Sequence, residues 1–231
     1  MTKVGIIVAM EEEEEAILNV MSDIEEKEIY RIIFKNGKIG NTNVVVVKSG
    51  VGKVNAARVT QILIDKLNVD YIINVGSAGA LNPFLNIGDI VIGEKLIQHD
   101  FDITAFNHSK GYITGVGDYI SSDKNLVDKV KNSIKAINNE DYKIINGIIA
   151  SGDIFCTDVA MKDKIYSKFN ADCVEMEGAA IAQVCYLDNI PFIVIRSISD
   201  SPNGNNAMVF DEFLKLASKR CANILVELFK K

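Results

Sequence analysis

The stretch "VVVVKSGVGKVNAARVTQILIDKLNVDYIINV" at residues 44–75 holds two short apolar runs separated by a segment with helical spacing. The runs, at 44–47 and 71–75, are continuous rather than alternating, which is typical of strands buried on both faces of a sheet. Between them, Lys53–Leu67 repeats apolar residues at every third or fourth position and therefore predicts a helix. A strand, a helix and a second strand in this order predict an α/β fold.

The same pattern continues along the rest of the chain. Further apolar runs occur at 4–8, 90–92, 144–149 and 192–198, and further helical spacing at 122–137, 177–187 and 211–229. No internal repeat, low-complexity segment or Pro/Ser-rich linker marks a boundary. We therefore expect one domain over residues 1–231, with helices on both faces of a mostly parallel or mixed sheet. The longest segment without periodicity, 99–118, predicts a functional loop or subunit contact, or an ordinary surface loop.

The composition excludes several classes of function. Hydrophobic residues make up 48% and charged residues 24% of the 231 residues, as in globular proteins, and no apolar segment is long enough to span a bilayer. The net charge of −6 argues against a nucleic-acid partner, because such proteins concentrate lysine and arginine. The apolar start of the chain runs into acids without a cleavage pattern, so we expect a cytoplasmic protein.

The cysteines and histidines give no metal-site pattern. The four cysteines are scattered without a C-x-x-C pair, and the two histidines lie nine residues apart in an irregular segment. Buried free thiols are ordinary in such contexts. We expect no disulfide, no zinc or other metal, and no cofactor.

Ligands of open α/β sheets collect beyond the carboxyl ends of the strands, so the residues after each apolar run are the candidate site. Two of these segments are rich in glycine, "SGVGK" at 49–53 and "GSAG" at 76–79. Neither completes the G-x-G-x-x-G or the G-x-x-x-x-G-K-[ST] fingerprint, which leaves nicotinamide-cofactor and nucleoside-triphosphate binding without support. Each motif also suits a tight turn from a strand into a helix.

The acidic run "EEEEE" at 11–15 lies where a helix should begin, and acids in a first turn complement the helix dipole. Successive helical residues are rotated by about 100°. Glu11 and Glu15 therefore share a face, whereas Glu13 points elsewhere, and only one or two of the five can enter a site. Periodicity alone does not choose between them.

Charged residues also stand in two strongly apolar segments, "VEMEG" at 174–178 and "RSISD" at 196–200. Arg196 lies inside the run and Asp200 at its carboxyl end. Buried ions must be paired or hydrogen-bonded. A structural Arg–Glu pair is one interpretation, and a functional acid at Asp200 is the one that we prefer.

Taken together, eight motifs in order along the chain closely resemble those of the bacterial 5'-methylthioadenosine/S-adenosylhomocysteine nucleosidases, which belong to the nucleoside phosphorylase superfamily. The motifs are "GIIVAMEEE", "SGVGKVNAA", "INVGSAGAL", "GDIVI", "HDFDITAF", "SGDIF", "VEMEGAAIAQVC" and "RSISD". The resemblance implies a three-layer αβα sandwich with a twisted mixed sheet and a homodimer. It also implies irreversible hydrolysis of the N-glycosidic bond of 5'-methylthioadenosine and S-adenosylhomocysteine, and also of 5'-deoxyadenosine. The products are adenine and the 5-substituted ribose, and the roles are methionine salvage and removal of a methyl-cycle by-product.

The resemblance also assigns the catalytic pair. Glu13, three places after Met10, matches the base that orients and deprotonates the attacking water. Asp200 matches the acid that protonates adenine N7, assisted by Ser199. Cleavage through an oxocarbenium-like sugar needs such an acid for the leaving group and a base for water on the opposite face.

Substrate-binding roles follow from the same resemblance. Glu177 should accept from the ribose 2'-OH, with Met176 beside the ribose, while Glu175 has the more structural place, paired with Arg196. Arg196 and Ser77 match polar residues near the water and the ribose, and Ala78 and Gly79 lie in the same motif. Phe155 should stack on adenine while backbone groups of Phe155 and Cys156 read its edge. The expected lining of the alkylthio pocket, partly from the second subunit, is Met10, Val51, Ile103, Phe106, Met208 and Phe210.

Two departures from the family pattern and three alternatives stay open. Cys156 replaces a larger aliphatic residue, and His108 stands where an aromatic residue is often found; both affect the pocket rather than the acid or base. A phosphate-dependent phosphorylase would need cations, for which Arg31 and Arg58 are candidates, but the acidic run repels phosphate. Hydrolysis of aminodeoxyfutalosine is a second alternative. A non-catalytic nucleoside-binding module is a third, and it would not need both an acid and a base.

Overall fold

The computed structural model describes residues 2–137, 141–201 and 206–230, apart from the side chains of residue 136 and residues 206–212. Strands and helices alternate along much of these ranges. The strands are β1 Lys3–Val8, β2 Ser22–Ile29, β3 Ile32–Ile39, β4 Thr42–Lys48, β5 Tyr71–Ala80, β6 Ile90–Gln98, β7 Ile120–Ser121, β8 Ile144–Ser151, β9 Cys173–Glu175 and β10 Phe192–Asp200. The helices are α1 Glu11–Leu18, α2 Lys53–Leu67, α3 Lys124–Ala136, α4 Val159–Phe169, α5 Gly178–Leu187 and α6 Asn206–Leu228.

The sheet is mixed and has a parallel centre. β1 pairs in parallel with β4 and β5, and β5 pairs in parallel with β10. The β2–β3 hairpin extends the sheet in antiparallel fashion beside β4. At the other end β5, β10, β6, β8 and β9 pair in a closed ring, which removes the free edge there. The carboxyl ends of the central parallel strands thus lie together at one edge of the sheet.

Helices cover both faces of this sheet, as the sequence predicted. The valines of β4 show why: Val45 and Val47 pack in one apolar cluster with α2 and α5, whereas Val44 and Val46 pack in a second cluster with α1, α3 and α6. All four are essentially inaccessible to solvent. A strand buried on both faces needs no polar alternation, which explains the continuous apolar run. The expected α/β architecture is therefore confirmed.

Five elements were not predicted: β2, β3, the two short strands β7 and β9, and α4. Every residue of β2 from Ser22 to Glu28 is exposed and the strand is highly charged, so its sequence resembles a surface segment. β2 gains its hydrogen bonds from β3 rather than from apolar burial. The acidic helix α1 and the predicted helices α2, α3, α5 and α6 are all present.

The two glycine motifs differ from each other. "SGVGK" forms the expected turn from β4 into α2, with Gly50 and Gly52 at φ values of 80° and 102° that favour glycine. The interpretation of "GSAG" as a turn into a helix was wrong, because residues 76–79 lie inside β5. A Cβ at Gly76 would stand 2.6 Å from Nη1 of Arg196 and 2.7 Å from Oε1 of Glu13. Glycine there serves close approach within a strand.

The segment at 99–118 is mostly irregular and carries a short 3₁₀ turn, Thr104–Phe106. The rings of His108 and Tyr112 stack within it, with centroids 4.2 Å apart. None of the described helices combines the length and the apolar character that crossing a bilayer requires.

Candidate active site

A cavity of about 460 Å³ opens where the strand ends meet. Its lining comes from seven parts of the fold: the ends of β1, β4, β5, β9 and β10, the first turn of α1, and the segment after β8. The lining residues are Ala9, Met10, Glu13, Val51, Ser77, Ala78, Gly79, Ile154, Phe155, Cys156, Val174, Glu175, Met176, Glu177 and Asp200. Both residues of the expected catalytic pair, and all three candidates of the "VEMEG" motif, are thereby brought together.

The topology explains why distant motifs converge. β1, β4, β5 and β10 are parallel, so their carboxyl ends lie at the same edge. The pairing of β10 with β5 is irregular between Ile198 and Asp200, and Asp200 stands opposite Gly79. Such an irregularity changes the direction of a side chain. A Cβ on Gly79 would be only 3.0 Å from Oδ2 of Asp200, so the glycine lets this carboxyl group lie against β5.

Glu13 is held at one end of the cavity by four hydrogen bonds. Its Oε2 accepts from the backbone N–H groups of Ala9 (2.9 Å) and Met10 (3.2 Å). Its Oε1 accepts from the backbone N–H (3.0 Å) and the hydroxyl (3.3 Å) of Ser77. Glu13 is 4% exposed. A buried carboxylate with this many donors is satisfied and has a fixed orientation.

The other acids of the "EEEEE" run have different partners. Glu14 is buried and pairs with Lys35 at 2.6 Å, while Glu11 pairs at the surface with Lys48. Of the five, Glu13 is the one that lines the cavity. Its position three residues into α1 allows it to accept from the N–H of Met10, the residue before the helix.

Glu175 is a buried anchor. Its Oε2 accepts from the N–H groups of Glu177 (3.0 Å) and Gly178 (2.7 Å) at the start of α5 and from the guanidinium of Arg196, while Oε1 accepts from the hydroxyl of Ser151. Arg196 also donates to Oδ1 of Asn74 at 2.5 Å. The predicted pairing of Glu175 with Arg196 is confirmed. Glu175 lines the cavity and Arg196 lies behind it, and Glu175 fixes the segment that carries Glu177.

Glu177 has fewer partners and a less favourable environment. Its Oε1 accepts from the N–H of Gly52 at 2.8 Å. Burial, followed by the charge of Glu175, raises the pKa of Glu177 to about 7. The carboxyl group therefore keeps acceptor capacity toward the cavity. Its ionised form is unfavourable while no ligand is bound. A ligand with hydroxyl groups would supply the missing hydrogen bonds.

Asp200, the last residue of β10, is the third acidic group of the cavity that the proposed chemistry requires. Its Oδ1 accepts from the hydroxyl of Ser199 at 3.2 Å, and its Oδ2 accepts from Nζ of Lys162 at 2.6 Å. Lys162 belongs to α4 and is 1% exposed, and it also donates to the backbone carbonyl of Ser201 at 3.0 Å. Asp200 itself is 3% exposed. The acid therefore has a buried ion-pair partner that the sequence analysis did not identify.

Several predicted residues lie outside this cavity. Arg196 and Ser199 are buried behind its wall and act on Glu175 and Asp200 respectively. Ile103 and Phe106 do not line the cavity of their own protomer, and Phe106 is 74% exposed. The side chains of Met208 and Phe210 lie outside the described residues.

The residues that sequence reasoning missed are Ala9, Ile154, Val174 and Lys162. The first three are small or aliphatic, and nothing distinguishes them from core residues. Lys162 did carry a signal, because it occupies the same buried stripe of α4 as Ile165 and Phe169, where an apolar residue is the rule. A lysine at such a position needs a partner.

The thiols and metal ligands add little to the site. All four cysteines are buried free thiols. Burial raises the pKa of the Cys156 thiol at the cavity wall, so this sulfur is protonated and apolar in character. Within the described part of the chain, no group of three or more His, Cys, Asp or Glu side chains is arranged to hold a metal ion.

Comparison with known proteins gives full-length matches. A model of the phosphorylase superfamily matches residues 3–230. A 5'-methylthioadenosine/S-adenosylhomocysteine nucleosidase from Geobacillus sp. is 39% identical over 227 residues, which cover 98% of this chain and 97% of the relative. The protein of the same name from Exiguobacterium sp. is 41% identical over 230 residues, covering 99% and 98%. The structure of the Neisseria meningitidis nucleosidase in complex with methylthio-immucillin-A superposes with a TM-score of 0.95 at 35% identity, covering 100% of this chain and 99% of that one.

Proposed function

The chain belongs to the 5'-methylthioadenosine/S-adenosylhomocysteine nucleosidase family of the phosphorylase superfamily, and from this we propose that it hydrolyses the N-glycosidic bond of these two nucleosides. 5'-Deoxyadenosine, which shares the adenine and ribose, is a third substrate. The products are adenine and the 5-substituted ribose. The observation that carries the proposal is the presence of Glu13, Glu177 and Asp200 in one cavity.

Asp200 acts as the general acid in this proposal. When the bond between C1' and N9 breaks, its electron pair moves into the adenine ring, and a proton from Asp200 neutralises the charge at N7. The Ser199 hydroxyl, 3.2 Å from Oδ1, orients the carboxyl group. Protonation of the leaving base lowers the barrier to forming the oxocarbenium-like sugar.

Glu13 acts as the general base at the opposite end. The backbone N–H groups of Ala9, Met10 and Ser77 fix its carboxylate. It accepts a proton from a water molecule that attacks C1', and Arg196, whose guanidinium approaches the same glycine, Gly76, contributes positive charge nearby. The water oxygen becomes the 1-hydroxyl of the sugar.

The remaining groups hold the substrate. Glu177 accepts from the ribose 2'-hydroxyl, and Met176 packs beside the sugar. Phe155 lies against the adenine, and backbone groups of Phe155 and Cys156 read its edge. Ala78 and Gly79 allow close approach of the adenine to β5. The apolar side chains of Met10 and Val51 receive the alkylthio group.

Hydrolysis is favoured over phosphorolysis by the arrangement around Glu13. The N–H groups that an anion would use at the end of β1 and in β5 already donate to the Glu13 carboxylate. Neither Arg31 nor Arg58 lines the cavity in the described part of the chain. Arg58 instead donates to the carbonyl of Tyr30 at 2.8 Å. A phosphate ion would face the Glu13 carboxylate, and the nearby guanidinium of Arg196 already pairs with Glu175.

The assembly and location belong to the same proposal. Residues 1–231 act as one nucleosidase domain, supported by a sheet that joins β1 to β10. A homodimer is supported by exposed apolar side chains: Val51 in the cavity lining, Val54 at the start of α2, and Phe106. In that dimer Ile103, Phe106, Met208 and Phe210 complete the alkylthio pocket, partly from the partner subunit. Four free thiols suit the reducing cytoplasm.

The test is incubation of the purified protein with 5'-methylthioadenosine, with and without phosphate, followed by chromatography of the base and the sugar. Adenine and free methylthioribose, formed equally in both, are expected. A phosphorylated sugar would assign the protein to the phosphorylases. Release of adenine from aminodeoxyfutalosine alone would change the substrate, and no release from either would leave a binding role.

A further inference from the structure

Lys162 does not line the cavity, but it forms a buried ion pair with Asp200, the proposed acid. Both side chains are almost completely buried, and Nζ lies 2.6 Å from Oδ2. A buried ion pair rarely stabilises a fold more than apolar residues of similar volume would. Lys162 also interrupts the buried stripe that Ile165 and Phe169 continue on α4. Its position beside the acid is therefore better explained by an effect on Asp200 than by packing.

We infer that Lys162 is a positioning residue for the acid step: its ammonium group holds Oδ2 of Asp200 and stabilises the carboxylate that remains after proton transfer. This inference rests on the proposed function. The contacts of Asp200 define how its carboxyl group is oriented. Lys162 holds Oδ2 and the carbonyl of Ser201, and Ser199 contacts Oδ1, so Oδ1 is the oxygen that carries the proton.

As the C1'–N9 bond breaks, its electron pair enters the adenine ring and the proton on Oδ1 of Asp200 moves to N7. Asp200 is left as a carboxylate opposite the Lys162 ammonium, which keeps its own protons. The attacking water gives its hydroxyl oxygen to C1' and a proton to Glu13. Glu13 returns that proton to solvent, and Asp200 takes one from solvent before the next cycle.

A cation within about 4 Å favours the ionised form of a carboxyl group, so Lys162 should stabilise the carboxylate that Asp200 becomes when it gives up its proton. Removing the cation should leave a buried carboxyl group that gives up its proton less readily. The rate at high pH, where the protonated acid is lost, therefore reports on Lys162.

The other ionisable groups around Asp200 do not mimic this effect. β5 presents Gly79, which has no side chain. Burial raises the pKa of Cys156, in the segment before α4, and raises that of Cys173 on β9 well above the ordinary value, so both thiols are neutral. Asp158 caps the start of α4 from an exposed position. The remaining charged groups of the site are Glu13, Glu175, Glu177 and Arg196, and Lys162 substitutions leave them in place.

The experiment measures kcat against pH, from about pH 5 to about pH 10, because kcat reports ionisation in the substrate complex. The variants are Lys162→Met, Lys162→Gln and Lys162→Arg, with Lys164→Met as the matched control. Lys164 lies two residues along the same helix and is exposed. Lys162→Gln keeps a hydrogen-bond donor, so it guards against a folding defect in Lys162→Met.

The alkaline limb of the profile should move up by roughly one to three pH units in both neutral variants, because the counter-charge is lost. The maximal kcat should fall roughly tenfold, because the acid is weaker. Lys162→Arg and Lys164→Met should keep the wild-type limb. An unmoved limb in the folded neutral variants, even with lower stability, would overturn the inference. Adenine release by the wild type is read in the same assay, so failure of the proposed function is recognised separately.

Discussion

At the scale of single residues, the most telling contrast lies between Glu175, the last residue of β9, and Glu177, which follows it with one residue between them. Glu175 accepts hydrogen bonds from two backbone groups, a serine and an arginine. Glu177 accepts one, from Gly52. Adjacent carboxylates in one apolar environment therefore have different tasks. The first builds the loop and the second remains available to a ligand.

Glu177 provides a pH-dependent test of this division. Its pKa is raised from 4.5 to about 7, so its ionisation opposes folding, and the stability of the free protein should fall as the pH rises between these values. Glu177→Gln cannot ionise. We expect the variant to match the wild type near about pH 4.5 and to be more stable, by up to about 3 kcal/mol, at about pH 8.

Urea unfolding of the ligand-free proteins at the two pH values measures this difference. If the free energies of unfolding of the variant and the wild type differed by the same amount at the two pH values, ionisation of Glu177 would not destabilise the fold. The same variant should lose most of its activity, because the amide replaces a carboxylate acceptor for the ribose hydroxyl.

Glu13→Gln tests the base directly. The amide oxygen and nitrogen fill the same space, but the side chain cannot take a proton from water, so kcat should fall by roughly 10² to 10⁴ while the fold persists. Glu15→Gln is the control, since Glu15 lies on the same helix and is exposed. Steady-state adenine release measures both. Equal losses in the two variants, or none in Glu13→Gln, would remove Glu13 from the mechanism.

At the scale of elements, β5 is the strand on which the site is built. Its two glycines are the places where side chains from other elements come closest, with Arg196 and Glu13 at Gly76 and Asp200 at Gly79. The strand thus separates the base from the acid by three residues along one backbone. Glycine in a strand costs conformational entropy. Here the absence of a side chain leaves room for the buried charged groups of the site.

Gly76→Ala should therefore damage the site more than a surface substitution would. The added Cβ would approach Nη1 of Arg196 and Oε1 of Glu13 to 2.6 Å and 2.7 Å, so one of them must move. We expect a loss of stability of about 1–3 kcal/mol and a fall in kcat of about a hundredfold, because the base is displaced.

Gly79→Ala is the graded comparison, because its nearest contact is 3.0 Å. Thermal unfolding and kcat measured on both variants should show the larger effect at Gly76. The reverse order would contradict the geometry derived from the two glycines.

At the scale of the whole molecule, the sequence was sufficient where burial itself is the signal. The valine runs of β4 and the apolar β10 predicted the centre of the sheet, because strands buried on both faces have continuous apolar sequences. It failed for β2, which is exposed and held by its hairpin. It also failed for "GSAG", because the sequence does not distinguish glycines that form a turn from glycines that let another side chain approach a strand closely. The Lys162–Asp200 pair joins residues 38 positions apart, and only the tertiary fold brings them together.

The proposed dimer would bury apolar side chains that one protomer exposes. Val54 is 79% exposed and lies at the start of α2, close to Val51 on the rim, and Phe106 is 74% exposed outside the cavity of its own protomer. Exposed apolar side chains of this size fit a subunit contact. Val54→Asp should therefore convert the proposed dimer to a monomer in light scattering, because it buries an unpaired charge in that contact.

If the partner subunit also completes the alkylthio pocket, the Val54→Asp monomer should bind 5'-methylthioadenosine more weakly while adenine alone binds unchanged. Phe106→Ser removes the side chain without adding charge. It should weaken binding of the nucleoside thioether but not of adenine, and the dimer should persist. A fully active Val54→Asp monomer would show that one protomer contains the whole site, and the exposed side chains would then need a different partner.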